Sequence, residues 1–175
     1  VLWAEDSYVL IDHPGVASGD YGLRIDDSAG TVSSATISVT CSAIDINGPK
    51  RVSGVKIPLE ITTSSLTTAE RAGLTIYDDA SVVFSHSTIE GSSEGSGLIV
   101  KSSEAHIHDN IIGPIGGYNG IWQFGSFDTI IENNTIQNTA REPIIVGDYH
   151  TGESGWGGLG SYPSRSHLSN NTINH

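Results

Sequence analysis

Two consecutive stretches of the chain, GLIVKSSEAHIHDNII (residues 97–112) and GIWQFGSFDTIIENNTI (residues 120–136), follow the same pattern. Each begins with a glycine and a short apolar segment, passes through polar residues, and ends with two aliphatic residues five positions apart. In the first stretch this pair is Ile107 and Ile112, and in the second it is Ile131 and Ile136. Such a repeat constrains the architecture more strongly than the propensity of any single segment.

The five-residue step recurs along the whole chain. The pairs, in order, are Ile11 and Val16, Val39 and Ile44, Ile61 and Leu66, Phe84 and Ile89, Ile107 and Ile112, Ile131 and Ile136, and Leu168 and Ile173. Most successive pairs are separated by about 22 to 24 residues, and two intervals are longer. A constant period with occasional additions is typical of stacked coils that carry loop insertions.

A second column of short segments shows alternation between apolar and variable positions. These segments are Leu2-Trp3-Ala4, Leu23-Arg24-Ile25, Val55-Lys56-Ile57, Leu74-Thr75-Ile76, Leu98-Ile99-Val100, Ile121-Trp122-Gln123 and Ile144-Ile145-Val146, and a glycine precedes five of them. A period of two predicts strands with one buried face. Since no segment sustains a helical period, the sequence predicts an all-β protein.

The glycine-led strands and the units that end at Ile136 and Ile173 resemble the coil repeats of the pectate-lyase-like superfamily. The resemblance implies a right-handed parallel β-helix of about seven coils, with three short strands in each coil. It covers residues 1–175 as a single domain, which we expect to be part of a longer chain. Residues 147–167 exceed the repeat and are expected to form an inserted loop.

The third residue of the five-residue step is small or polar, and in the later coils it is Asn110, Asn134 and Asn171. Such residues suit a bend with unusual backbone angles, and stacked amides can bond from coil to coil. We therefore predict a structural asparagine ladder. The same bends contain Asn-Asn-Thr sequons that begin at Asn133 and Asn170, so N-glycosylation is the alternative interpretation.

The composition excludes several classes of partner. With 8 Lys and Arg against 20 Asp and Glu, the net charge of −12 would repel nucleic acid. No apolar run is long enough to span a bilayer, so we predict no membrane insertion. The lone Cys41 cannot form an intramolecular disulfide. We expect a secreted or cell-surface protein.

In the superfamily that the repeats resemble, the active groove follows the first strand of each coil and the turn before it. The residues predicted to bind substrate on this face are Arg24, Lys56, Arg71, Lys101, Tyr118 and Trp122. Cationic side chains pair with uronate carboxylates, and aromatic rings stack on sugars. The pattern favours an acidic polysaccharide, and ordinary solvation of a strand surface is the alternative.

The inserted loop supplies a second hypothesis, because long loops on a rigid scaffold often carry function. Together with Arg141, the loop residues Asp148, Tyr149 and His150 contain a cation and an acid/base pair suited to β-elimination or epimerisation. The competing interpretation is that the loop's aromatic residues cover an apolar patch on the strands.

The segment from Val9 to His13, followed by Asp20-Tyr21-Gly22, resembles a stretch of pectate lyases in which acidic residues bind calcium. This resemblance implies Asp20 as a calcium candidate, although the catalytic arginine motif of those enzymes is missing. No other cofactor is predicted, and His106 and His108 lack an evident third metal ligand.

These patterns together predict a secreted β-helix module that binds an acidic polysaccharide. An enzymatic module of this kind would be a polysaccharide lyase, an epimerase or a glycoside hydrolase. The alternative is a non-catalytic structural or adhesive segment of a surface protein. Open strand edges also predict end-to-end or side-by-side self-association.

Overall fold

The computed structural model describes residues 2–126, 128–147 and 164–174. In this part of the chain all regular structure consists of short strands, arranged as successive coils. The first coil contains β1 (Leu2–Glu5), β2 (Tyr8–Asp12) and β3 (Gly15–Val16), and the second contains β4 (Tyr21–Asp26), β5 (Ala29–Ser33) and β6 (Thr36–Val39). The third coil contains β7 (Ser42–Asn47), β8 (Lys50–Val52), β9 (Val55–Ile57), β10 (Leu59–Thr62) and β11 (Ser65–Thr68).

The next two coils contain β12 (Leu74–Tyr77), β13 (Ser81–Ser85) and β14 (Thr88–Gly91), then β15 (Leu98–Lys101), β16 (Glu104–His108) and β17 (Ile111–Ile115). The last two contain β18 (Ile121–Phe124), β19 (Thr129–Glu132) and β20 (Thr135–Gln137), then β21 (Ile144–Val146), β22 (Ser166–Ser169) and β23 (Thr172–Asn174).

Three parallel sheets of seven strands each form the walls of the solenoid. Sheet A takes the first strand of every coil, sheet B the second and sheet C the third, with β8 and β9 standing apart as a hairpin. The predicted all-β fold, with about seven coils and three strands in each, is confirmed.

Aliphatic stacks fill the interior, because equivalent residues of successive coils pair in register. In sheet B, Ile61, Phe84 and Ile107 follow one another, and all three are fully buried. Six of the seven predicted pairs occupy these stacks. The pair Val39 and Ile44 is wrong: the second coil uses Val32 and Ile37, which pair with Ile61 and Leu66 of the next coil.

The strand predicted at Val55–Ile57 is also misplaced. It is β9, which pairs with β8 in an antiparallel hairpin inserted between sheets A and B. The hairpin turns at Ser53 and Gly54, both with positive φ (51° and 83°), as a tight two-residue turn requires. The sheet A position of this coil belongs to β7, so the outward residue there is Asp45 rather than Lys56.

The glycines that precede sheet A strands permit close packing between turns and neighbouring coils. A Cβ atom at Gly73 would lie 2.4 Å from Cγ2 of Ile89, and one at Gly120 would lie 2.5 Å from Cγ2 of Ile136. Only glycine fits without displacing the core of sheet C, which explains why it recurs where the chain re-enters sheet A.

The predicted ladder lies in the turn between sheets B and C. Oδ1 of Asn134 accepts hydrogen bonds from N and Nδ2 of Asn110 (3.1 and 3.0 Å), and Oδ1 of Asn171 accepts the same pair from Asn134 (both 3.0 Å). Ser64 and Ser87 continue the ladder through their hydroxyl groups in earlier coils. The asparagine ladder is confirmed.

No helix in the described part of the chain is long and apolar enough to cross a membrane.

Candidate functional site

A groove of about 520 Å³ lies on the outer face of sheet A, and we refer to it as the sheet A groove. Strands of the sheet form its floor, and the turns that lead into those strands form one wall. The described residues that line it are Tyr21, Arg24, Ser42, Asp45, Arg71, Ala72, Thr75, Tyr77, Glu94, Gly95, Ser96, Ile99, Tyr118 and Trp122.

The floor presents one outward residue from each of five consecutive coils. Their order is Arg24, Asp45, Thr75, Ile99 and Trp122, and each pairs in register with the next. Because parallel strands lie about 4.8 Å apart, these side chains form a straight row along the axis of the solenoid. The row is polar at the end nearer the N-terminus and apolar at the other end.

Asp45 occupies the polar half of the floor and is mostly buried. The hydroxyl of Thr75, on the adjacent strand, donates a short hydrogen bond to its Oδ1. Burial raises the pKa of Asp45, against the lowering effects of hydrogen bonds from Thr75 and Ser42 and of the charges of Arg24 and Arg71. A carboxyl group in this setting holds its proton to a higher pH than a solvated aspartate does.

Tyr77 lies beside this carboxyl group. Burial, together with the negative charge of Asp45, raises the pKa of Tyr77 to about 12. The phenol is therefore neutral at physiological pH and acts as a hydrogen-bonding group rather than as a base.

The two arginines of the groove differ in their pairing. Nε of Arg24 donates to both carboxylate oxygens of Asp26 (3.3 and 3.0 Å), and Nε1 of Trp3 donates to one of them (3.0 Å). Arg71 is exposed, and among the described residues no carboxylate lies within 4.0 Å of its guanidinium. Arg71 therefore offers a positive charge to a ligand at the wall of the groove.

Tyr118 and Trp122 line the groove towards its apolar end. The guanidinium of Arg141 lies 4.4 Å from the ring centroid of Tyr118, and the ring of Trp122 packs against Phe124 with centroids 5.0 Å apart. Gly117 brings these turns together, since a Cβ atom there would lie 2.5 Å from the backbone N of Gly95. The close approach of the turns fixes Tyr118 at the rim.

The structure brings together four of the six residues predicted to bind substrate: Arg24, Arg71, Tyr118 and Trp122 all line the groove. Lys101 lies in the next outward row, paired in register with Phe124. Lys56 lies on the hairpin, where it contacts Asp79 and Glu104, so its predicted place on this face is wrong.

Of the four residues predicted to be catalytic, Arg141 stacks on Tyr118 at the rim of the groove. Asp148, Tyr149 and His150 lie outside the described residues. Asp20, the calcium candidate, is exposed in the turn before β4. Within the described ranges no three His, Cys, Asp or Glu side chains are grouped so as to hold a metal ion.

Asp45 is the site residue that the sequence interpretation missed. The segment Ile44-Asp45-Ile46 has the same alternation as the other sheet A strands, but no glycine precedes it. The glycine-led segment at Val55–Ile57 satisfies the pattern better, and it predicts the basic Lys56 where the floor has the acidic Asp45.

The histidine pair lies on sheet B, away from the groove. Nε2 of His106 is 2.8 Å from Oε1 of Glu132, and Nδ1 of His108 is 2.8 Å from Oδ2 of Asp109. The hydrogen bond from His106 lowers the pKa of Glu132, and the one from His108 lowers the pKa of Asp109. These contacts link neighbouring coils and the adjoining turn.

Solved structures that share this fold include two crystal structures of the periplasmic alginate epimerase AlgG, one of them of a point mutant. Their TM-scores are 0.63 and 0.66 at 8% sequence identity, so the likeness concerns the fold. The match covers 98% of this chain, which spans about half of each epimerase chain (46% and 47%).

No curated protein sequence matches the chain. Residues 1–175 match the right-handed β-helix region along their whole length. The chain therefore belongs to the right-handed β-helix family.

Proposed function

We propose that the sheet A groove binds an acidic polysaccharide that lies along the axis of the solenoid. The observation that carries this proposal is the presence of cationic and aromatic side chains in one groove. Arg24, Arg71, Tyr118 and Trp122 all line it, and the row of floor residues runs from Arg24 to Trp122. Guanidinium groups pair with carboxylates, and aromatic faces stack on sugar rings.

The straight floor suits a polymer better than a small molecule. Each coil adds one side chain to the row, so a linear glycan meets the polar residues first and the aromatic residues further along. The solved structures of similar fold belong to an alginate epimerase, and alginate is an acidic polysaccharide, which supports this ligand class. A polysaccharide ligand also accords with the proposal that the protein is exported from the cytoplasm.

Modification of the bound polymer is a further part of this proposal. Lyase and epimerase reactions on a uronate require a cation or hydrogen-bond donors at the carboxylate and groups that transfer protons, whereas a hydrolase requires two carboxyl groups at the glycosidic bond. Arg71 and Asp45 are the described residues suited to these roles. The predicted roles of Arg141, Asp148, Tyr149 and His150 remain predictions.

The test compares binding of alginate and polygalacturonate oligomers with binding of neutral dextran oligomers by calorimetry. We expect binding of the acidic oligomers, and a loss of affinity of about tenfold in Arg71→Ala, because a charge-assisted contact is removed. Trp122→Ala should weaken binding by a similar factor through loss of ring stacking, with melting curves confirming that the variant is folded.

Arg51→Ala is the matched control, because Arg51 is a partly exposed arginine that lies on the β8–β9 hairpin, away from the groove. There it pairs with Asp79, which follows β12. Its affinity should equal that of the wild type. Equal losses in Arg51→Ala and Arg71→Ala would indicate nonspecific charge attraction and contradict a groove site. Absence of binding to all the oligomers would favour a structural or adhesive role.

Lyase activity has a separate measurement: the unsaturated products of a lyase would be detected by their absorbance at 235 nm.

A further inference from the structure

Among the described residues, the groove is lined by equal numbers of positive and negative side chains. These are the cations Arg24 and Arg71 and the acids Asp45 and Glu94, and three tyrosines line the groove beside them. With both acids ionised the lining carries no net charge, in a chain whose overall charge is −12. Protonation of one acid would make the groove positive, and so attractive to a polyanion.

We infer that Asp45 sets the charge selectivity of the sheet A groove: its neutral form admits an anionic glycan and its ionised form opposes one. This inference rests on the proposed function and identifies the residue that regulates it. Asp45 lies in the floor, directly between Arg24 and Thr75 in register, so a ligand on the floor passes over its carboxyl group.

Asp45 is held by hydrogen bonds rather than by a direct ion pair. Among the described residues no Lys, Arg or His nitrogen lies within 4.0 Å of its carboxyl oxygens, and the nearby Arg24 is held by Asp26 instead. Its direct partners are the hydroxyl groups of Thr75 and Ser42. A hydroxyl group can donate to the ionised acid or accept from the neutral one, so it allows both forms, whereas an ion pair would favour the ionised form more strongly.

The charged and titratable groups that face Asp45 come from both adjacent strands and the wall. Tyr21 and Arg24 lie on β4 and Tyr77 lies on β12, while Arg71 and Glu94 belong to the turns. Of these groups, Tyr77 stays neutral, since its pKa is about 12.

Burial raises the pKa of Asp45. As the pH rises through this raised pKa, the floor gains a negative charge that repels a ligand carboxylate. Affinity for a polyanion should therefore fall.

The experiment measures the affinity of alginate oligomers and of dextran sulfate for the wild type and for Asp45→Asn, from about pH 4 to about pH 8. Dextran sulfate stays ionised over this range, so its affinity reports only changes in the protein. The asparagine can still accept the hydrogen bond of Thr75. We expect the wild type to lose about tenfold more affinity than Asp45→Asn as the pH rises.

Asp78→Asn is the matched control, because Asp78 is exposed in the turn after β12 and its φ of +54° is one that asparagine adopts readily. It removes the same charge outside the groove and should keep the pH profile of the wild type. If Asp45→Asn binds with the wild-type profile, the inference is wrong while the proposed function stands. If the wild type binds neither probe at any pH, both are wrong.

Discussion

At the scale of single residues, Asn134 shows how the coils are held in register. Its Nδ2 group donates to the carbonyl groups of Ile107 and Glu132 (2.9 and 3.0 Å) and to Oδ1 of Asn171 (3.0 Å), and its Oδ1 accepts from Asn110. The side chain is almost fully buried, with 1% exposure. One amide thus satisfies polar groups of three successive coils that have no access to water.

Asn134→Ala should lower the free energy of unfolding by about 2 to 4 kcal/mol, because it leaves several buried polar groups without partners. Asn134→Ser is the matched comparison. Ser87 already occupies this position two coils earlier, where its hydroxyl donates to Ser85 (2.7 Å) and accepts from Ser64 (3.0 Å). We expect about half the loss for serine, measured by urea denaturation. Equal losses would indicate that packing volume, not hydrogen bonding, sets the cost.

The ladder was predictable because its signal is local. Small polar residues at the third place of the five-residue step identify the bend, and Asn110, Asn134 and Asn171 all occupy it. The second coil has Ala35 there, which has no side-chain acceptor; its backbone N donates to the hydroxyl oxygen of Ser64 (3.2 Å). An alanine carries no bend signal, and this explains why the pair Val32 and Ile37 was overlooked.

At the scale of elements, the β8–β9 hairpin of the third coil forms ion pairs with residues of the first, fourth and fifth coils. Lys50 contacts Asp6 of the first coil (2.6 Å), and Lys56 contacts Asp79 (2.5 Å) and Glu104 (2.7 Å) of the fourth and fifth coils. Lys56 is 16% exposed, so its two contacts are shielded more than an ordinary surface pair. Lys56, which the sequence pattern predicts on the substrate-binding face, thus pairs with acidic residues of neighbouring coils.

We expect Lys56→Met to lower the free energy of unfolding by about 1 kcal/mol at neutral pH, since both acids lose a partner while the aliphatic stem is kept. The hydrogen bond from Lys56 lowers the pKa of Asp79. Its stabilisation is therefore present above the ordinary Asp pKa and disappears as the pH falls through the lowered value. The difference between Lys56→Met and the wild type should shrink in acid, as thermal unfolding at several pH values would show.

Arg165→Met is the control for this prediction. Arg165 and Asp128 form an exposed pair (2.6 Å; 75% and 67% exposed), which should contribute less than about 0.5 kcal/mol. If both substitutions lowered the free energy of unfolding equally, or if the loss in Lys56→Met persisted in acid, the ion pairs of the hairpin would not stabilise the stack of coils as predicted.

The hairpin also shows where prediction from this sequence ends. A glycine followed by Val55-Lys56-Ile57 satisfies the local pattern of a sheet A strand as well as Leu74-Thr75-Ile76 does. What separates them is the hydrogen-bond partner: Val55 pairs with Val52 three residues away, whereas Leu74 pairs with Ile44 of the previous coil. Periodicity reports the buried face of a strand but not its neighbour, so the fold and most of the floor were predictable while the floor position of Asp45 was not.

At the scale of the whole molecule, the aliphatic stacks are exposed at the last coil. Leu168 and Ile173 continue the stacks of Ile131 and Ile136, yet they are 45% and 48% exposed while the preceding residues are fully buried. The outer edges of β21, β22 and β23 have no neighbouring strand among the described residues. An apolar end with open strand edges favours the addition of further strands.

We therefore expect the 175-residue chain to self-associate end to end as its concentration rises, and more strongly at high salt, because its net charge of −12 opposes contact. Leu168→Lys combined with Ile173→Lys should shift the association to about tenfold higher concentration by placing charges in the end face. Sedimentation velocity over a concentration series measures both effects.

Ile111→Lys distinguishes the two modes of association, because Ile111 is an equally exposed aliphatic residue (46%) on the side of the solenoid. It lies in register between Thr88 and Thr135, so a lysine there extends into solvent without disturbing the core. End-to-end contact predicts that Ile111→Lys associates like the wild type, whereas side-by-side contact through sheet C predicts that it alone remains monomeric. A chain that stays monomeric at all concentrations and salt conditions would show that the exposed end is protected by its own charge.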